Sequence, residues 1–218
     1  MKILVVAEEF QFEESRQKLG GHECTYVTSH SNAEKILSEC DVIFDFLTSD
    51  KPDSFSLYRD QPVTVFLNAW RISLAQLTNS VGIIKASVFG FNGFPTMFNR
   101  EYLEVSVLHA QDLTTLQEIC GNLGTKYLRV DDRVGLVTPR VISMIINEAY
   151  YAVQEGTATR DDIDLAMKLG TNYPYGPFEW CKRIGLKNVY RLLEAVYEDT
   201  KDERYKISAL MKKEFLGG

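Results

Sequence analysis

The amino-acid sequence predicts an α/β protein in two parts, a parallel sheet domain followed by an all-α C-terminal domain. Three observations carry that reading. Short apolar runs rich in β-branched residues alternate with helical or polar stretches through the first half of the chain. From Val141 onward the apolar residues recur at helical spacing instead. With 218 residues, 45% hydrophobic and 25% charged, the chain is long and apolar enough to bury a core without staples. The expected domains are residues 1–132 and 133–218.

The sheet domain opens on Lys2-Ile3-Leu4-Val5-Val6-Ala7, a strand whose unbroken apolar run marks it as buried. Glu13 to Leu19 reads as a short helix closed by Gly20-Gly21, Cys24 to Thr28 as a second strand, Ala33 to Cys40 as a helix and Asp41 to Leu47 as a third strand. This βαβαβ rhythm implies parallel strands joined by right-handed crossovers, with helices over both faces. After a loop holding Pro52 and Pro62, strands are expected at Val63 to Leu67, Ile83 to Val88 and Leu103 to Val107. Leu113, Leu116, Ile119, Cys120 and Leu123 have helical spacing, Gly124 suits a C-terminal cap, and Tyr127 to Val130 is the last strand.

The second domain begins with Val141, Ile142, Ile145, Ile146, Ala149 and Ala152, an apolar stripe over more than three helical turns. Thr159 before Arg160-Asp161-Asp162 is an N-cap with acidic residues in the first turn, and Gly170 is the expected stop. Pro177 after Gly176 suits the first position of a helix that Gly185 ends. Helices from Asn188 to about Glu198 and from Ile207 to Phe215 complete the domain.

Several classes of function are disfavoured. A net charge of −6 argues against nucleic acid, whose phosphates need clustered Lys and Arg. No apolar run reaches the ~20 residues of a membrane span, and the N-terminal run is too short for a signal peptide, so no membrane partner and a cytoplasmic location are expected. Cys24, Cys40, Cys120 and Cys181 form no CxxC pair, so buried thiols are expected in place of zinc or disulfides. His22, His30 and His109 have no Ser, Cys or acidic partner at motif spacing, so exposed or capping roles are expected for them.

Five segments in order, Gly135 to Arg140, Asn147-Glu148-Ala149, Asp162-Ile163-Asp164, Ala166 to Gly170 and Pro174 to Glu179, resemble the helical dimerisation domain of the 3-hydroxyacyl-CoA dehydrogenases. Phe89-Gly90-Phe91-Asn92-Gly93-Phe94-Pro95-Thr96-Met97 resembles that family's His-Phe-Phe-Asn-Pro stretch, and Leu103-Glu104-Val105 its following Glu strand. Val65 to Ala69 resembles the end of its Ser-Asn-Thr-Ser strand. The resemblance implies a shortened Rossmann-like sheet domain and a homodimer paired through the helices. In the family, a His paired with the Glu takes the proton of the substrate 3-hydroxyl while hydride passes to NAD. Glu104, Asn68 and Asn92 are the family-matched catalytic positions.

Other matched positions depart from that chemistry. Phe89 stands where the His belongs, and a phenyl ring neither accepts nor relays a proton. The Gly-x-Gly-x-x-Gly turn that lets a pyrophosphate approach a helix N-terminus is replaced by Ala7-Glu8-Glu9-Phe10-Gln11-Phe12. Tyr26-Val27-Thr28-Ser29 lacks the acid that would hold a ribose, and Pro139 replaces the Asn expected after the domain junction. The segment Ser31 to Cys40 is shorter than the helical insertion that carries coenzyme A contacts in the family.

The preferred expectation is a family member with lost or altered catalysis and no bound cofactor. It would be homodimeric, with an acyl-CoA or other small acyl group as ligand, and Phe10, Phe12, Phe89, Phe91, Phe94 and Trp70 are candidates to line its pocket. Two alternatives stand beside it: an active NAD-dependent 3-hydroxyacyl-CoA dehydrogenase of fatty acid metabolism, and an interaction or regulatory module pairing through the helices.

Overall fold

The computed structural model describes residues 1–79 and 81–217. Its contacts divide the chain into two compact units, Met1–Leu136 and Val137–Gly218.

The first unit runs β1 (Lys2–Val6), α1 (Glu9–Leu19), β2 (Glu23–Val27), α2 (His30–Ala33), β3 (Val42–Asp45), α3 (Ser56–Arg59) and β4 (Thr64–Asn68). It continues with α4 (Leu74–Thr78), β5 (Ser87–Phe91), β6 (Tyr102–Val107), α5 (Leu113–Asn122) and β7 (Lys126–Val130). The strands form one sheet in the order β2-β1-β3-β4-β5-β6-β7. Strand pleating sends alternate side chains to opposite faces, and both faces are apolar. Ile3, Val5, Phe44, Phe66 and Phe89 pack with Leu19 of α1 and Leu116 and Cys120 of α5. Leu4, Val6, Ile43, Val65 and Leu67 pack on the other face with Ala33 of α2, Tyr58 of α3, and Leu74 and Leu77 of α4. This two-sided burial is why the strands read as continuous apolar runs.

The expected parallel sheet holds from β1 to β5, but β6 runs antiparallel to β5, pairing Phe89 with Val107 and Phe91 with Val105. A parallel return needs a crossover helix, and the connection from Asn92 to Glu101 contains none. With α5 as crossover, β7 is again parallel to its neighbour β6.

Other boundaries also moved. The first helix starts at Glu9, a turn before the expected Glu13, because the Gln11 side chain accepts from the Glu8 amide at 3.1 Å and caps it there. The expected helix Ala33 to Cys40 reduces to α2 and a 3-10 turn at Leu37–Glu39, since Ile36 adopts φ −128° and ψ 3°. The expected strand at Ile83 to Val88 begins only at Ser87, because β4 starts at Thr64 and offers no earlier partner in the ladder. The short helices α3 and α4 had no apolar period long enough to reveal them.

The second unit contains α6 (Thr138–Gln154), α7 (Arg160–Thr171), α8 (Pro177–Ile184), α9 (Leu186–Thr200) and α10 (Ala209–Gly217). Its interior holds Ile142, Ile146 and Tyr150 of α6, Trp180 and Ile184 of α8, Leu192 and Leu193 of α9, and Met211 of α10. Thr159 accepts from the Asp162 amide as the sequence implied, and Pro177 opens α8. Gly170 does not stop α7, which runs to Thr171 and is capped by Asn172 in the left-handed region, φ 55°. Among the described residues no helix is long and apolar enough to cross a membrane.

Candidate functional site

Because β1 lies between β2 and β3, the chain reverses its direction of winding there, and open α/β sheets bind ligands outside the carboxyl ends of strands at such a switch point. The turn after β1 decides whether a dinucleotide fits. It consists of Ala7 and Glu8, with Glu9 already helical, and both carboxylates are exposed. The amide of Ala7 donates to Val27 O, and that of Glu8 to Gln11 Oε1, so neither points at a ligand. Two carboxylates at this helix start repel a pyrophosphate, and the residues present do not fit NAD.

The positions matched to catalysis lie at the end of β4, just after β5 and within β6. Asn68 is 1% exposed, its Nδ2 donating to Phe46 O at 3.2 Å and to Gly93 O at 3.4 Å, while its Oδ1 accepts from the Gly93 amide at 2.9 Å. Asn92 Oδ1 accepts from the Phe94 amide at 3.1 Å, forming a local turn, and its own amide donates to Glu104 O at 3.1 Å. The sheet thus brings Asn68, Asn92 and the Glu104 backbone together, with the two amide side chains engaged by main chain.

Phe89 and Glu104 are not brought together. Phe89 is fully buried with its ring 5.1 Å from Phe66, on the face shared with Leu103 and Val105. Glu104 lies between those two residues, so the pleat turns its buried side chain toward the other face. Phe91 and Phe94 are also fully buried, and Trp70 packs 5.1 Å from Phe94. Of the six aromatic residues expected around an acyl pocket, these are core. Phe12 stacks edge-on against Tyr26, and Phe10 is 62% exposed.

His30 departs from the exposed or capping role expected of it, although no partner stands at motif spacing. Its Nε2 lies 2.8 Å from Asp45 Oδ2, which also accepts from Tyr58 Oη at 2.9 Å, while Asp45 Oδ1 accepts from the Leu47 amide at 2.8 Å. Asp45 ends β3 beside Val6 of β1, at the switch point, and is fully buried. Burial, reinforced by the Asp45 carboxylate, pushes the Tyr58 hydroxyl far above the usual tyrosine range, so it serves only as a donor. Sequence spacing could not reveal a pair separated by fifteen residues and two elements. The available signal was the Asp inside the apolar run Val42-Ile43-Phe44-Asp45-Phe46-Leu47, since a buried carboxylate demands donors.

Further along this edge, Ser49 Oγ donates to Asn68 O and Arg71 pairs with Asp50. Thr48 Oγ1 is buried and has no hydrogen-bond partner among the described residues. The described residues hold no cluster of three or more metal-ligating side chains. Cys120 and Cys181 are buried as expected, whereas Cys24 and Cys40 are half-buried because they sit on the edge strand β2 and after the 3-10 turn.

Residues 135–218 match the family model described as 3-hydroxyacyl-CoA dehydrogenase, C-terminal domain. The chain is 42% identical over 93 residues to 3-hydroxyadipyl-CoA dehydrogenase of Escherichia coli, a segment covering 43% of this chain and 20% of that protein. A probable 3-hydroxybutyryl-CoA dehydrogenase of Bacillus subtilis is 36% identical over 48% of this chain and 35% of its own length. The matches to these two relatives thus span about a third of their length or less. A longer match, 27% identical over 87% of this chain and 70% of the relative, is to 3-hydroxybutyryl-CoA dehydrogenase of Clostridioides difficile. Among solved structures, (S)-3-hydroxybutyryl-CoA dehydrogenase of Ralstonia eutropha superposes with a TM-score of 0.73 over 100% of this chain and 93% of that one. At 18% identity that likeness concerns the fold.

Proposed function

The chain belongs, through its C-terminal domain, to the 3-hydroxyacyl-CoA dehydrogenase family, and from that premise we propose that it keeps the family scaffold without NAD-dependent turnover. The observation that carries this reading is Phe89. It occupies the position that resembles the family's catalytic His, yet its ring is fully buried against Phe66 and faces away from the side of the sheet that Glu104 takes. A positioned general base contributes ~10² to 10⁴ in rate, and a phenyl ring supplies none of it. The turn at Glu8 and Glu9 supports the same conclusion from the cofactor side.

The ligand proposed is an acyl thioester of coenzyme A, the class that the relatives' names carry. The test is a titration of NADH by fluorescence, with acetoacetyl-CoA turnover followed in the same cuvette. No binding at micromolar NADH and no oxidation are expected. Tight binding together with oxidation would establish the alternative, an active dehydrogenase.

The proposed assembly is a homodimer through the helical unit. Supporting it, Val141 of α6 and Leu165 and Leu169 of α7 are 52%, 53% and 78% exposed, apolar surface that a partner would cover. Sedimentation velocity at micromolar concentration should give one species of about twice the 24.9 kDa chain mass. A stable monomer would refute it.

A further inference from the structure

The buried Asp45 has only acceptor oxygens, and its three partners, the Leu47 amide, Tyr58 Oη and His30 Nε2, must each supply a hydrogen. That fixes the imidazole: Nε2 carries its hydrogen toward Asp45, and Nδ1 of the neutral ring presents a lone pair. Nδ1 has no hydrogen-bond partner among the described residues, and the His30 side chain is 15% exposed whereas Asp45 is sealed at 0%. The ring is therefore reachable on one side and held on the other. The carboxylate 2.8 Å from Nε2 fixes the orientation of the ring, so that Nδ1 faces away from Asp45. The pair stands at the end of β3 beside β1, where the fold places ligands.

We propose that His30 is a general base at the switch point, positioned by Asp45, that activates water for hydrolysis of an acyl thioester. The choice of a thioester rests on the ligand reading given above. Water is the nucleophile because no Ser, Thr or Cys side chain shares a hydrogen bond with His30 among the described residues. Hydrolysis is the reaction because hydride transfer needs a dinucleotide whose pyrophosphate the exposed Glu8 and Glu9 carboxylates repel. In the step, Nδ1 takes a proton from water as the water oxygen bonds to the carbonyl carbon. The carbon–sulfur bond then breaks, and the imidazolium returns its proton to the departing thiolate. The products are a carboxylic acid and a free thiol, with no change of oxidation state. Tyr58 is a further positioning residue, fixing the carboxylate that fixes the ring.

Butyryl-CoA is the probe, with released thiol read by a colorimetric disulfide reagent. The wild-type chain should release thiol above the buffer rate, and His30→Gln should lower kcat by ~10² to 10⁴ with its melting temperature retained. Asp45→Asn should lower kcat and displace the pH–rate profile while leaving KM near its original value, and His109→Gln should change nothing. Thiol release no faster than buffer in the wild type, or a full rate in His30→Gln, overturns the proposal. Should the variants fail to fold, diethyl pyrocarbonate modification of the wild type replaces them. Loss of thiol release in step with modification of His30, followed by mass spectrometry, supports the assignment, and release that survives complete modification overturns it.

The two readings fail separately. NADH oxidation with acetoacetyl-CoA would overturn the proposed loss of dehydrogenase activity without touching thiol release. Absent butyryl-CoA binding by calorimetry would remove the acyl-CoA ligand and the hydrolysis with it.

Discussion

Asn68 and Gly93 exchange a pair of hydrogen bonds between the ends of β4 and β5: the Gly93 amide donates to Asn68 Oδ1 at 2.9 Å, and Asn68 Nδ2 donates back to Gly93 O at 3.4 Å. The same Nδ2 reaches Phe46 O at the end of β3, so one side chain ties three strand ends. A Cβ at residue 93 would lie 2.8 Å from the Asn68 side chain, which is why glycine is required there. Asn68→Ala leaves buried main-chain groups unsatisfied and should cost about 1–3 kcal/mol in denaturant unfolding. Gly93→Ala should also destabilise, by displacing Asn68. An Asn68→Ala chain of wild-type stability would show that these bonds carry no weight.

A second relationship of this kind holds the helical unit. Asp164 of α7 accepts from the amides of Phe178 and Glu179, at 2.8 and 3.1 Å, and so caps the N-terminus of α8 from another helix. A side chain at Gly176 would collide with Asp164. Asp164→Ala should cost about 1–2 kcal/mol, at the upper end for a lost cap because Asp164 is only 8% exposed. Chemical denaturation of a Trp70→Phe background, in which Trp180 is the remaining tryptophan, reads it by fluorescence.

Thr48 gives a prediction of opposite sign. Its hydroxyl is buried without a partner among the described residues, and burying an unpaired polar group costs about 1–3 kcal/mol. Thr48→Val keeps the shape and removes the group, so it should leave stability unchanged or raise it by up to about 1 kcal/mol. A clear drop in melting temperature would mean that water or a ligand satisfies the hydroxyl in solution.

Burial pushes the thiols of Cys120 and Cys181 up to about 11 from the ordinary 9.0. The folded chain therefore keeps both protons to higher pH than the unfolded chain does. Their contribution to stability is complete below pH 9 and is lost as pH rises from 9 through 11. Melting temperature should fall across that window. At pH 8 both thiols should resist alkylation that goes to completion in guanidinium. Rapid labelling of either thiol in the native protein would contradict the assignment.

Much of the fold was legible along the chain because it follows from local patterning. The runs at Ile3 to Ala7 and Val42 to Leu47 announce buried strands, and the stripe from Val141 to Ala152 announces a long packed helix, since periodicity records which faces are covered. Thr159 and Pro177 marked helix starts because a cap acts within one turn. Features set by distant partners stayed hidden. Antiparallel pairing of β6 depends on the path of the chain after Phe91, and the true start of β5 depends on where β4 begins.

The candidate site divides in the same way. The sequence alone determined that Phe89 cannot relay a proton and that Glu8 and Glu9 oppose a pyrophosphate, because those are properties of the side chains themselves. It also set the kinship of residues 135–218, through residues held in order. Only the tertiary structure decided that Phe89 and Glu104 take opposite faces, that Asn68 serves the main chain, and that His30 meets Asp45. The pleat, the register and the crossover from β2 to β3 fix those relationships, and each joins residues whose separation along the chain carries no local signal.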